Sequence, residues 1–224
     1  MAVTDEAIAR IREMVVQGEL RPGDRLPPEK ELSERLGLSR NSLREAVKAL
    51  ELIRVLDVRR GDGTYVTSLE PGLLLEAVQF VVDLHQDQSV LELFEVRRIL
   101  ETSAAALAAQ RMTVENIEHL RASVSEAAGF DKVNDLVAHD LDFHRRIAEA
   151  SGNTYLSTLL EALSSKTVRA RLWRGITEEN AASRTLSEHE GIVRAIHARD
   201  TELARALTTA HIAGIEGWIR RSLG

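Results

Sequence analysis

Apolar residues recur at helical spacing from the start of the chain. Ile8, Ile11, Val15 and Val16 form one stripe and predict a first helix over about 4–17, which Thr4 or Asp5 can cap. Gly18 ends it, and Leu20-Arg21-Pro22-Gly23-Asp24 is turn chemistry. A second helix opens at Pro27-Pro28-Glu29, with proline and acid in the first turn where both are favoured, and stops at Gly37. Ser39 is the expected N-cap of a third helix that continues to Leu52. Val55 to Val58 and Thr64 to Thr67 then read as short strands around a hairpin tip at Gly61-Asp62-Gly63. Two short helices, a tight turn and a hairpin make a winged helix-turn-helix.

Beyond Ser68-Leu69-Glu70-Pro71-Gly72 the pattern is helical throughout. Seven helices are expected, at roughly 72–85, 89–110, 113–129, 131–150, 154–174, 180–198 and 200–222, with Thr113, Ser151-Gly152-Asn153 and Asp200 marking boundaries. The expected fold is therefore mainly α. A winged helix-turn-helix over 1–68 and a linker over 69–72 precede an all-α bundle over 73–224.

Composition narrows the class. The 224 residues are 44% hydrophobic, enough for one large or two modest cores, and include no cysteine. Disulfides, iron–sulfur clusters and thiolate metal sites are excluded. The N-terminus is amphipathic and charged, with no signal-peptide pattern, and the most apolar window, 73–82, is broken by Glu76 and Gln79. A soluble, cytoplasmic protein is expected. The net charge of −6 runs against nucleic-acid binding until its distribution is considered. Residues 39–60 hold six basic side chains against three acids, while 71–224 carry 17 basic and 22 acidic residues. A local basic face suffices to steer association with DNA.

The third helix has the chemistry of a recognition helix. Arg40, Asn41, Ser42 and Arg44 sit at or near its N-terminal end, where arginine can bond guanine bidentately and Asn or Ser can reach base edges or phosphates. Lys30 on the preceding helix and Arg59-Arg60-Gly61 at the wing are placed to hold the backbone or enter the minor groove. In the bundle, Asp140 and His144 are spaced i, i+4 and share a helix face. His189 lies beside Ile192, Val193 and Ile196, and His211 lies near the apolar side of the last helix. One carboxylate and three imidazoles from three helices would suit Zn²⁺, Ni²⁺, Co²⁺ or Mn²⁺ with one or more positions left open. By spacing alone, a histidine on an apolar face is more often an ordinary core residue.

The stretch GELRPGDRLPPEKELSERLGLSRNSLREAVKALE, followed by VRRGDGTYV, resembles the GntR family of bacterial transcription regulators over residues 4–68. The resemblance implies DNA contacts from Lys30, Arg40, Asn41, Ser42, Arg44, Arg60 and Gly61. One departure is Arg54, where the family usually has glycine after the recognition helix. LELFEVRRILETSAAALAAQR, HDLDFHRRIAEASGN, SEHEGIVRAI and DTELARALTTAHI resemble the all-α FCD ligand-binding domain of the FadR-type subfamily. That domain commonly binds a metal through one Asp and three His, which here fall on Asp140, His144, His189 and His211. Zinc is the first choice of ion. The same resemblance assigns Arg97, in the E-V-R motif, to an effector carboxylate, against the alternative of a salt bridge to Glu101 one turn away. Arg169, Arg171 and Arg184 read as surface charge, and Trp173 and Trp218 as packing residues. His85, His119, His139 and His197 have no motif support.

These features imply a homodimeric regulator that reads duplex operator DNA, a repressor controlled by a small organic acid bound at the metal. A regulator whose signal is the metal itself is the alternative. An enzyme is not expected: an Asp/His site could activate water, but there is no well-placed general base beyond the ligands.

Overall fold

The computed structural model describes residues 3–70, 72–73 and 89–223. The expected helix over 72–85, with His85, lies outside the described residues except for Gly72 and Leu73. The chain divides into two compact units, Met1–Val78 and Gln79–Gly224.

The first unit is built on α1 (Val3–Val16), α2 (Glu29–Leu36) and α3 (Arg40–Leu52). Ala7, Ile11 and Met14 of α1 meet Leu32 of α2 and Leu43, Ala46 and Leu50 of α3 in one core. Ser39 caps α3, its Oγ accepting from the Ser42 amide at 3.1 Å, a bond worth about 1 kcal/mol. Gly37 ends α2 at φ 68°, which lets the chain reverse tightly into α3. Strands β1 (Leu56–Arg59) and β2 (Gly63–Val66) pair antiparallel, from Leu56 opposite Val66 to Arg59 opposite Gly63. The turn chemistry before α2 becomes a third, short partner: Leu26 donates to the Thr64 carbonyl at 2.8 Å, and Val66 to that of Asp24 at 2.9 Å. Arg54 does take a left-handed conformation, φ 60°, so α3 ends as a glycine would end it, at a cost of about 1 kcal/mol. The amides of Arg54 and Val55 satisfy the Glu51 and Leu50 carbonyls.

The second unit holds seven helices among the described residues: α4 (Ser89–Arg111), α5 (Val114–Ala127), α6 (Val133–Ala150), α7 (Thr154–Lys166), α8 (Val168–Thr177), α9 (Ala181–His197) and α10 (Thr201–Leu223). The alanine-rich run of α4, buried from Ala104 to Ala109 apart from Leu107, lets other helices approach closely, and α4 packs along α10. Ile117, Leu120 and Val124 of α5, Phe143 and Ile147 of α6, and Ile192 and Ile196 of α9 complete the main core. Trp218 is buried as expected and meets Trp173 edge to face at 5.0 Å between centroids, while Trp173 itself is 43% exposed.

One expected element is corrected. The single helix over 154–174 is two, broken at Thr167 (φ −96°, ψ 0°). The Thr167 hydroxyl donates to the Ser164 carbonyl at 2.9 Å and accepts from Nη1 of Arg97 at 3.0 Å. A buried arginine thus holds the break in place.

Candidate metal centre and nucleic-acid interface

On α3, Leu43, Ala46 and Leu50 face the core, while Arg40, Asn41 and Arg44 are exposed on the other side. Lys30, Arg60 and Gly61 are exposed too. Ser42 is half-buried; its amide and hydroxyl both engage Ser39 Oγ, the hydroxyls 2.8 Å apart. Arg44 is not free: Nη2 bonds Oε1 of Glu29 at 2.9 Å, across the helix-turn-helix. At the wing, Gly61 adopts φ 78°, which an L side chain would take only with strain. Arg59 lies over the Tyr65 ring at 4.2 Å and bonds Asp57. Arg25 donates to the Asp62 carbonyl and fills the space beside Gly63 that a Cβ would need. Neither Arg25 nor Glu29 stands out in the sequence, because each acts on a residue far along the chain.

In the second unit, four side chains from three helices converge on one point. Asp140 and His144 come from α6, His189 from α9 and His211 from α10, all buried, and one ligand atom from each lies within 4.8 Å of the others. Nε2 of His189 is 3.3 Å from Oδ1 of Asp140, Nε2 of His144 is 3.6 Å from the same oxygen, and the Nε2 atoms of His144 and His211 are 3.3 Å apart. Donors placed tetrahedrally at the zinc–nitrogen bond length are about 3.3 Å apart, so these side chains fit a small divalent ion. Two carboxylates lie against the outer nitrogens. Oε2 of Glu188 takes Nδ1 of His211 in a 2.6 Å hydrogen bond, and Oε2 of Glu101 lies 2.6 Å from Nδ1 of His144 without an aligned bond. Each contact turns Nε2 inward, the arrangement that orients metal-binding imidazoles. Phe143 stacks on His189 at 3.8 Å and 6°, while both nitrogens of His189 lack an aligned hydrogen bond.

The electrostatics are those of buried, mutually compensating charge. Burial alone would raise the Asp140 carboxyl, but Arg171 and the imidazoles of His144 and His189 hold it well below the usual range. Burial would likewise raise Glu101; Arg97 and His144 outweigh it and keep it ionised. Burial pushes His189 down to about 3 and lowers His211 as well. His144 goes the other way: burial opposes its charge, but Glu101 and Asp140 favour it more, and its value is raised. Neutral, inward-facing His189 and His211 are already in the state that metal binding requires.

Arg97 is fully buried. Nε bonds Oε1 of Glu101 at 2.6 Å, Nη1 bonds Thr167, and Nη2 lies 2.6 Å from the same Glu101 oxygen without an aligned bond. The alternative salt bridge to Glu101 is therefore present. Arg171, read from sequence as surface charge, is buried and donates through Nη1 to Oδ2 of Asp140. His139 is also buried, close to Ser123 and His189. Arg184 is exposed and pairs with Glu178. Two cavities flank the cluster. One of about 70 Å³ reaches Asp140, His139 and Arg171 between α6, α8 and α9; one of about 270 Å³ reaches Glu101 and His144 between α4, α6 and α7.

Comparison with known proteins agrees with this architecture. Residues 3–66 match the gntR family of bacterial regulatory proteins, and residues 92–214 match the FCD domain. The HTH-type transcriptional regulator LutR of Bacillus subtilis is 31% identical over 209 residues, covering 91% of this chain and 94% of its own. The galactonate operon transcriptional repressor of Escherichia coli is 27% identical over 216 residues, covering 94% and 93%. Among solved structures, Streptococcus agalactiae GntR superposes with a TM-score of 0.70 at 28% identity, covering 95% of this chain and 98% of its own. No helix among the described residues is long and apolar enough to cross a membrane. The chain belongs to the gntR family of bacterial regulatory proteins, as a DNA-binding transcription regulator with an FCD domain and not an enzyme.

Proposed function

We propose that this regulator is a homodimeric repressor of the FadR-type branch, acting in the cytoplasm and controlled by a small organic acid that binds at a metal ion in its helical domain. Residues 1–68 read the operator, 69–72 link, and 73–224 bind effector and dimerise. Asp140, His144, His189 and His211 hold the ion, with zinc the best match and nickel, cobalt or manganese compatible. When bound, the ion would supply a positive centre for an effector oxygen. The observation that carries this reading is the convergence of the four donors with the outer nitrogens of two imidazoles tied to carboxylates. Arg97 and Arg171 bring two guanidinium groups to the same cluster, the charge a carboxylate needs.

Lys30, Arg40, Asn41, Ser42, Arg44, Arg60 and Gly61 form the DNA-reading surface in this proposal. Two-fold symmetry follows from the palindromic sites that paired recognition helices read. Val96 and Ile99 of α4, 43% and 59% exposed, and Tyr155 of α7, 67% exposed, support a second copy as the partner of the helical unit.

A thermal-shift screen of small carboxylates, on protein with zinc and after chelation, tests the effector site. Binding at a hundredfold excess over Kd adds about 2.7 kcal/mol of stability. A shift from one class of acid that vanishes on chelation is expected. A shift from zinc alone, with none from any acid, would favour the metal-sensor alternative.

A further inference from the structure

Arg171 differs from the other buried cations in what its guanidinium leaves unused. Nη1 is anchored on Oδ2 of Asp140, while Nε and Nη2 are buried with no hydrogen-bond partner among the described residues. Those two nitrogens form one edge of the planar guanidinium, the parallel pair of donors that matches the two oxygens of a carboxylate. Arg97 has no such free edge: Nε bonds Oε1 of Glu101, Nη2 lies against the same oxygen at 2.6 Å without an aligned bond, and Nη1 bonds Thr167. Buried donors left unpaired are rare in folded proteins, and an absent ligand is one of their ordinary explanations.

The cavities separate by charge. The larger is lined by Glu101, Asp142 and Glu161, and its one arginine, Arg145, is paired with Asp142 and Glu149. An anion would be repelled there. The smaller holds Arg171, with walls that include Leu136, Val137, Leu186 and Ile215. Its volume of about 70 Å³ has room for roughly five water-sized groups.

We infer that the Nε–Nη2 edge of Arg171 is the carboxylate anchor of the effector site, and that the acid it takes is a short one with an aliphatic body. The inference rests on the effector reading above and gives it a residue and a ligand class. Asp140 holds the guanidinium in place, so one carboxylate joins the metal cluster to the effector anchor. Arg97 acts behind it as a positioning residue, through Glu101 and Thr167. Six-carbon polyhydroxy acids are disfavoured by the volume of about 70 Å³.

The test is isothermal titration of the full-length, zinc-loaded protein with propanoate, butanoate, 2-hydroxybutanoate and gluconate, on wild type, Arg171→Gln and Arg171→Lys. Zinc affinity of each is measured separately by chelator competition. Wild type should bind the three short acids and not gluconate. Arg171→Gln should keep zinc within about tenfold and lose about a hundredfold in acid affinity, the loss of one charged bidentate contact. Arg171→Lys should fall between, since an ammonium restores charge without the fork. Unchanged acid binding in Arg171→Gln overturns the inference and leaves the effector reading standing. So does a parallel loss of zinc, which would make Arg171 a support for Asp140 alone. If wild type binds gluconate as well as the short acids, the ligand class is wrong. If zinc-loaded wild type binds none of the acids, the effector reading fails together with the inference.

Discussion

The buried side chains around Asp140 are held by one another, so single changes there should have separable consequences. Among the described residues, Glu188 meets the cluster through Nδ1 of His211. Glu188→Gln should therefore leave the fold intact and weaken zinc by about 10–100-fold, read by chelator competition; unaltered affinity would deny Glu188 an orienting role. The protonation states make a second prediction. His189 titrates at about 3 in the folded chain and near 6.5 when unfolded. Between those values the unfolded state binds the extra proton, so stability falls as pH falls, by up to about 1.4 kcal/mol per pH unit for each such group. His211 and His139, also lowered, act in the same direction. His144 opposes them: raised, its contribution is present below the unfolded value and lost as pH rises through the folded one. Chelated protein should lose melting temperature between pH 6.5 and 4.5; a rise across that window would mean the His144 contribution dominates. The Asp140 and His144 pair was legible in the sequence because i, i+4 spacing fixes a shared face. The contact of Glu101 with His144, and the parts played by Glu188 and Arg171, were not, because nothing local tells a buried charge from a solvated one.

Elements were legible wherever local chemistry sets their limits. Ser39 as N-cap, Gly37 as helix end and the hairpin tip all follow from the residue at the position. The break between α7 and α8 does not, since its determinant is a hydrogen bond from Arg97, 70 residues away. Thr167→Val removes that acceptor and leaves a buried guanidinium donor unpaired, which should cost about 1–3 kcal/mol. Urea unfolding of the metal-free chain measures it. A cost near zero would show that the break is set by the α7 and α8 sequences themselves. In the first unit, Gly63→Ala puts a Cβ into the space Arg25 fills. It should loosen the wing and weaken DNA binding, read by titration of a labelled duplex; sequence preference stays unchanged if the wing's arginines hold the backbone and shifts if they enter the minor groove.

For the whole molecule, fold class was readable from turn residues and helical periodicity and the family from the resemblance of residues 4–68 and the bundle motifs, whereas the proposed effector site depends on side chains from α4, α6, α8, α9 and α10 meeting in space. In the proposed function that meeting point is the input and operator binding the output. An acid can change operator affinity only if it favours one arrangement of the molecule over another, and couplings of 1–3 kcal/mol, about 5–150-fold, are usual. The most direct test is the affinity of the full-length protein for a duplex it selects from a random pool, measured by fluorescence anisotropy at fixed salt. It is read with and without a short carboxylate, before and after removal of zinc. Adding the acid to zinc-loaded protein should lower operator affinity at least about fivefold, with no response once the metal is gone. Operator affinity that follows zinc alone, or that the acid changes equally in metal-free protein, would contradict the proposed function.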